Sequence, residues 1–438
     1  MRDSGASRQP HSTVWLPLAL DEPAPVPTGH LHCDVAVVGG GLSGLSTALH
    51  LKLAAPQLDV VLLEAGRIGY GASGLNSGQC APRIGPAIED QVRSQGEAFA
   101  RAAYDYSLGA IEFAVGLVKR LRIDCEIRCA GQWQVALRDA DSLKLERRAA
   151  LYRSLGADVP LLGAEAVRAS LPDAYRIRNA LVFPAWLLNP GQLCIGMKRA
   201  AQDHGVRIFE DARVERLERS TDTLHVGASS IRATRVVFAV DGAIGGLIPL
   251  RGTVLPVTAL AAVTRPLSAA QRAGIGWAQG QGLYDARPMF NFLRPLEDGR
   301  LLIGGGYRYA RGLKAGIAQK PQDARDLLAQ LSLFFPSLHS MTADVVWHGL
   351  LGCTLNEWPI VAPLDHDRRR WHIGAWNGHG VALALRAGHD LANAMTGQIA
   401  LPEIPWHSPR ATNLPHSLIS MLVPLYLEWL RRSSRMTI

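Results

Sequence analysis

The chain has little of what would mark it as anything but a large globular protein. It carries six cysteines in 438 residues, too few and too scattered for a disulfide scaffold. Cys33, Cys80, Cys194 and Cys353 stand apart, and only Cys125 and Cys129 are close. No second Cys/His pair lies near those two, so no metal site is expected, and the thiols read as reduced and partly buried in a cytoplasmic protein. No apolar run reaches the roughly 18 residues that cross a bilayer. The polar first ten residues lack the apolar core of a cleaved leader. The net charge is +8, but it is nearly all arginine spread along the chain, with short clusters only at Arg368–Arg370 and Arg431–Arg432. Zinc-finger spacing, RNP-like aromatics and a basic helix are all missing, so nucleic acid is not an expected partner. Internal repeats and low-complexity tracts are missing too.

What is there is a chain with 48% apolar residues and 43 glycines, enough for two or three domains with sizeable cores. Residues 1–30, with Pro23, Pro25 and Pro27, read as an extended arm that Trp15 and Leu16 pin to the body. A buried strand at 33–38, a helix at 43–53 and a second buried strand at 60–63 then form a βαβ unit, which requires parallel strands. A Gly/Ser/Asn loop runs over 66–85. Helical periodicity follows at 98–122, interrupted by Gly109 and Gly116, and a strand at 132–137. Short strands are expected at 206–209, 214–217 and 236–240. Residues 253–263 and 283–308 read as antiparallel, with Gly304–Gly306 ending a strand. A helix over 327–335 stops at Pro336, and a strand at 371–375 leads through Gly378-His379-Gly380 into a helix over 381–396. The fold class is α/β (α+β overall). A discontinuous Rossmann-like nucleotide domain (31–85, 186–250 and 346–400) is interrupted by a mainly antiparallel β substrate domain with helices (86–185 and 251–345), and a tail follows at 401–438.

The strongest chemical signal is Val37-Val38-Gly39-Gly40-Gly41-Leu42-Ser43-Gly44, placed between strand and helix. There Gly39 permits the tight turn, Gly41 lets the backbone approach a pyrophosphate, and Gly44 lets the helix pack on the strand. Leu42 and Ser43 open a helix whose free N–H groups and partial positive charge suit phosphates. Glu64, 20 residues beyond Gly44 and followed by Ala65, can accept hydrogen bonds from both hydroxyls of an adenosine ribose and would repel a 2′-phosphate. The dinucleotide is therefore FAD or NAD rather than NADP.

The segment Ala72-Ser73-Gly74-Leu75-Asn76-Ser77-Gly78-Gln79 completes a pattern that resembles the D-amino-acid-oxidase-like family of FAD-dependent oxidoreductases, closest to its γ-glutamylputrescine oxidoreductase branch. The resemblance extends over most of residues 13–430. It implies that the Rossmann-like domain binds FAD and that the loop, through Ala72, Ser73 and Asn76–Gln79, follows the diphosphate and ribityl chain. Val214 would lie against the adenine. Asn377, Gly378, His379, Gly380 and Val381 would face the flavin pyrimidine, where backbone N–H groups and the helix dipole stabilise negative charge on the reduced ring. The implied reaction is oxidation of a C–N bond in a small amine or amino acid by hydride transfer to flavin N5, followed by imine hydrolysis, with oxygen or another acceptor taking the electrons.

Two departures from the branch concern the turn, Asn377 for serine and Trp376 for tyrosine. Some relatives anchor FAD through a cysteine; here the matching position is Leu351, with Cys353 two places on, so non-covalent FAD is expected, Cys80 being the other thiol near the loop. Arg83, Arg287 and Arg308 are candidates for clamping a substrate carboxylate, Tyr307 for donating to the substrate, and Trp376 for walling its cavity. The apolar tail 418–432, interrupted by Pro424 and basic at its end, can pack on the body or a second subunit, or lie on an anionic membrane surface. Two other functions fit part of the signal: a C–O dehydrogenase of a 2-hydroxy acid or glycerol phosphate on the same fold, and a non-catalytic dinucleotide-binding module.

Overall fold

The computed structural model describes residues 13–15, 22–244, 247–248, 250, 252–310, 321–400 and 416–435; Leu16 lies outside them. The strand His30–Val38 is the centre of the first sheet. It pairs in parallel with Val60–Leu63 on one side and Ser229–Phe238 on the other. Arg207–Phe209 adds beyond Val60–Leu63, and Arg370–Gly374 beyond the far end of Ser229–Phe238, again in parallel. The expected strand at 214–217 is displaced to Arg216–Glu218, where it forms a hairpin with Thr223–Val226 and leaves Val214 in a loop. All four residues of Val60–Leu63 are buried, as their unbroken apolar run requires in a sheet covered on both faces.

The helix Leu42–Ala54 links the first two strands and packs closely on Gly380–Met395. A side chain at Gly388 would come within 2.7 Å of Ser46, and the Ser46 hydroxyl donates to the Leu385 carbonyl at 2.6 Å. The long helix Glu97–Arg120 runs unbroken through Gly109 and Gly116. Its Ala103, Ala110, Ile111, Ala114 and Leu117 share one core with Val35, Val37 and Leu62. This helix therefore packs with the nucleotide sheet, although it falls inside the 86–185 segment expected in the substrate domain.

The second sheet has eight strands, in the order Ala343–Cys353, Leu255–Thr264, Leu301–Tyr309, Phe292–Pro295, Gly282–Asp285, Gln132–Ala136, Asn179–Phe183 and Leu161–Gly163. All neighbours are antiparallel except Gly282–Asp285 with Gln132–Ala136. Its first strand spans residue 346, so the expected boundary there falls within one element. Gly304–Gly306 does not end a strand: Leu301–Tyr309 continues through it. Glycine is needed because a Cβ at Gly304 would sit 2.0 Å from the Phe292 ring, and one at Gly305 2.2 Å from the Asn291 amide. One face of this sheet is covered by Ile275, Leu327, Leu331 and Phe334 from flanking helices. The expected 327–335 helix is divided at Gln330 into the end of Pro321–Ala329 and the turn Leu331–Phe334.

The C-terminal helix His416–Ser433 passes through Pro424 without breaking. It packs against Leu255 through Ile419 and Val423. Its end is held by cations and amides: Arg138 donates to the Ser433 carbonyl (2.9 Å), Arg287 to the Ser434 carbonyl (3.3 Å) and the Met289 amide to the Ser434 hydroxyl (2.8 Å), which suits the negative end of a helix dipole. Met421, Leu422, Leu425, Tyr426 and Trp429 remain exposed on its other side. Among the described residues no helix is long and apolar enough to cross a membrane.

Two histidines in the nucleotide core set an acid limit on stability. Burial pushes His50 down to about 4 and His372 to about 3, whereas an unfolded histidine titrates near 6.5. Both are neutral in the folded chain and gain a proton on unfolding once the pH is below about 6.5. Their contribution is thus complete above that pH and declines as pH falls towards 4 and 3, at up to about 1.4 kcal/mol per unit for each histidine. Urea midpoints should be lower at pH 5 than at pH 7.5, and His50→Gln should flatten that difference. An unchanged pH dependence in the variant would remove His50 from the account.

Candidate functional site

The first strand ends at Val38, and Gly39 turns the chain with φ +112°. A Cβ on Gly39 would lie 2.4 Å from the Ala239 carbonyl oxygen, and one on Gly44 1.9 Å from the Gly39 carbonyl oxygen; both positions are closed to any other residue. Gly41 precedes the helix Leu42–Ala54, which has no side-chain cap of its own and no acid in its first turn. The Leu42 amide donates to the Ser73 hydroxyl at 2.9 Å, so the glycine turn and the flexible loop meet there. Glu64 ends the second strand with one carboxylate oxygen accepting from the Gly40 amide (2.8 Å) and the other from Gly66 (2.9 Å). Burial pushes its carboxyl above the ordinary range, and the two amides pull it back. Each oxygen retains a lone pair beyond these bonds. Ala65 beside it is exposed. No hydrogen bond among the described residues engages the Val214 backbone, which the Ala212 amide, donating to the Glu64 carbonyl at 2.8 Å, holds beside the second strand.

The loop contains one helical turn, Ala72–Leu75. Asn76 closes it by donating to the Ala72 and Ser73 carbonyls and accepting from the Gly78 amide. Gln79 accepts from Gln132 of the second sheet (2.8 Å) and donates weakly to Ser77 (3.4 Å). At the other end of the site, Ala375, Asn377 and Gly378 all have positive φ. The first amides of the helix Gly380–Met395, those of Gly380, Val381 and Ala382, have no acceptor within the helix, and no side chain caps them. The His379 amide is used by the Trp376 carbonyl (3.0 Å). The Asn377 side chain is committed to the neighbouring loop, accepting from Thr354 and donating to the Ala375 and Glu357 carbonyls, and its amide donates to the Gly352 carbonyl at 3.0 Å, so Asn377 does not supply the ligand-facing N–H expected of it. A valine at Gly380 would strike Trp376, whose Cβ lies 2.8 Å from the added carbon.

The DAO family of FAD-dependent oxidoreductases matches residues 34–394. The chain belongs to that family. It is 28% identical over 419 residues to γ-glutamylputrescine oxidoreductase of Escherichia coli strain K12, covering 92% of this chain and 95% of that protein. It is 26% identical over 377 residues to a glycine oxidase of Pseudomonas aeruginosa, covering 83% and 95%. In fold it is similar to glycine oxidase from Geobacillus kaustophilus, with a TM-score of 0.72 at 19% identity over 86% of this chain and 98% of that one.

As a DAO-family member the protein is an FAD-dependent enzyme, and the cradle fits that cofactor. The helix end carries no acid and no cap from its own side chains, the glycines Gly39, Gly41 and Gly44 keep the turn free of side chains, and Glu64 retains acceptor capacity, a donor and acceptor set that suits a diphosphate and a ribose. Both thiols considered as covalent anchors are disfavoured as nucleophiles. Burial pushes Cys80 and Cys353 up to about 12, and a protonated thiol is a poor nucleophile. Acid precipitation of the holoenzyme is expected to leave all yellow colour in the supernatant, and fluorescence retained on the polypeptide in a denaturing gel would show otherwise.

The substrate-side candidates separate sharply. Arg83 lies 3.2 Å from Glu357, and its charge acts on His379, Tyr284, Tyr307 and Tyr152. Tyr307 meets Phe290 with tilted rings 5.4 Å apart, and Phe290 meets Tyr284 edge-on in turn. Burial, followed by Arg83, lowers His379 well below its ordinary pKa. Arg287 and Arg308 line a separate cavity together, beside Asp323, Gln330 and Arg431, and Trp376 faces the core. Arg287 is fully engaged with Asp285, Asn291, Gln330 and Ser434. Arg308 pairs with Asp323 on an exposed edge. Trp376 is a core residue, its indole donating to the Ser43 hydroxyl at 2.9 Å, because a ring following the buried strand Arg370–Gly374 turns inward on the first helix.

Two acidic residues were not singled out from the sequence. Glu210 is 1% exposed and accepts from the Ala24 and Ile68 amides and from Lys198, fixing arm and loop together. Asp241, with φ +44°, accepts from the Gly352, Ala375 and Trp376 amides. Burial raises its carboxyl and these amides oppose the rise. An acid just after a buried β-branched strand was the only sequence cue for either.

Proposed function

We propose that the protein oxidises a C–N bond of a small amine or amino acid that also carries a carboxylate. The observation that carries this reading is Arg83, which pairs with the half-exposed Glu357 and whose charge bears both on His379 at the glycine turn and on Tyr284 and Tyr307 of the second sheet. A guanidinium there can take a carboxylate bidentately, displacing the exposed Glu357. The aromatic rings would bound the substrate's carbon skeleton, and the neutral His379 adds no competing positive charge. FAD supplies the two-electron acceptor. The curated relatives named for putrescine and glycine chemistry support an amine or amino-acid substrate over a hydroxy acid. The nucleotide cradle, with Gly39, Gly41, Gly44, Glu64 and Ser73 as its principal residues, would hold the cofactor. The six free cysteines suit a reducing compartment such as the cytoplasm.

Anaerobic bleaching of the flavin band with a panel of amines, amino acids and 2-hydroxy acids tests the reaction. Bleaching by hydroxy acids alone would select the C–O alternative. Arg83→Gln is expected to raise KM for a carboxylated substrate about 10- to 150-fold, equivalent to about 1.5–3 kcal/mol for a hydrogen bond to a charged group, with a smaller effect on kcat. An unchanged KM would remove Arg83 from the substrate site. Admitting air after reduction and following reoxidation by stopped flow distinguishes oxygen from another acceptor.

A further inference from the structure

Arg294 lies on the strand Phe292–Pro295 and is 3% exposed. Its Nη1 donates to the Ser77 carbonyl at 3.0 Å and the Leu188 carbonyl at 2.8 Å, and its guanidinium lies over the Trp15 ring at 5.2 Å. The Nε has no hydrogen-bond partner among the described residues. No carboxylate among the described residues pairs with it; Glu126 and Glu297 act only at longer range, and the neighbouring Arg128, bonded to the Gly280 carbonyl, repels it. Burial and then Arg128 lower its pKa to about 10, which still leaves it charged at neutral pH.

Holding two carbonyls does not need a full charge; a buried glutamine amide would do so without the several kcal/mol that an unpaired buried ion costs. A cation kept in such a place calls for an anion that the described residues do not provide. Gly78 indicates where it would lie. A Cβ on Gly78 would be 2.7 Å from Arg294 Nη1 and 2.0 Å from the Leu188 carbonyl oxygen, so Arg294 sits directly behind the Ser77–Gly78 backbone. The same loop meets the first amide of the helix Leu42–Ala54 at Ser73, four residues before Ser77.

We propose that Arg294 is a positioning residue that supplies counter-charge through the Ser77–Gly78 loop to the reduced, anionic flavin ring. This rests on the family reading of that loop as the flavin-side segment. The guanidinium adds positive potential beside the ring at all stages, and its effect is larger after two electrons have entered.

The test uses the holoenzyme and three variants, read by flavin midpoint potential, by affinity for sulfite, which adds to the oxidised ring and leaves it anionic, and by FAD dissociation constant. Arg294→Gln retains a donor for the carbonyls but not the charge. It is expected to weaken sulfite binding at least tenfold and to lower the two-electron potential by about 30 mV, the equivalent of tenfold in the reduction equilibrium. Arg294→Lys should keep both within threefold of wild type. A Gln variant with wild-type potential and sulfite affinity overturns the proposal, as does a Lys variant that falls as far as Gln. A folded Gln variant that loses oxidised FAD also overturns it, since the charge would then serve the diphosphate. Should Arg294→Gln not fold, Arg128→Gln is read instead: it removes the second charge behind the loop, and a severalfold loss of sulfite affinity is expected, no change being the contrary result. Wild-type protein that binds no FAD would instead sink the cofactor reading itself.

Discussion

Gly41→Val is expected to yield a folded protein with at least 100-fold weaker FAD binding, the largest single effect anticipated at the cradle. The added Cβ alone would meet the Ser73 hydroxyl at 2.8 Å, and the branched carbons would fill the approach to the first helix amides. Glu64→Ala should weaken FAD by about 1.5–3 kcal/mol through loss of a charged acceptor. It also frees the Gly40 and Gly66 amides that shape the turn. Fluorescence titration of the FAD-free proteins measures both, with far-UV circular dichroism as the check on folding. Wild-type affinity in both variants would place the cofactor elsewhere.

Asp241→Ala is expected to destabilise the FAD-free protein by about 3 kcal/mol or more, because three enclosed amides lose one acceptor at once and each such loss costs about 1–3 kcal/mol. The turn at Ala375–Gly378 holds three residues in the left-handed region, two of them not glycine, and Asp241 is what anchors its first amides. FAD affinity should fall with stability. Asp241→Asn keeps one carbonyl oxygen and should recover part of both. Equal urea midpoints for wild type and Asp241→Ala would show that the amides find other partners.

The βαβ unit was legible because three signals coincide within 35 residues: unbroken β-branched strands, glycines at the turn, and an acid at the second strand end. The match at Val60–Leu63 follows from that agreement. The antiparallel sheet was legible in kind but not in detail. Gly304–Gly306 reads as a stop because nothing in sequence says that the Phe292 ring and the Asn291 amide, from the neighbouring strand and the turn before it, will occupy the places of the missing side chains at Gly304 and Gly305. Glu97–Arg120 was assigned by its place in the chain, whereas its alanines pack on the nucleotide core. Among the substrate-side candidates the sequence could not rank one arginine above another. Arg287 and Arg308 find carboxylates nearby in the fold, and such pairings between distant or looped residues leave no periodic trace. The same holds for Asp241 and Glu210, whose partners are backbone amides from segments far away.

The pairing of Val38 with Phe238 has a consequence for how the enzyme is made. On a ribosome adding about 5–20 residues per second, the central strand waits roughly 10–40 seconds for its second neighbour. Until then one of its edges is open to other chains, a known aggregation hazard. The Gly378–Val381 turn arrives later still, about 340 residues after Gly39, so the nascent chain carries the glycine turn and Glu64 long before the far end of the proposed site exists. Ample riboflavin during expression would then act as a folding aid as well as a supply of cofactor, and yield of soluble protein should rise with it.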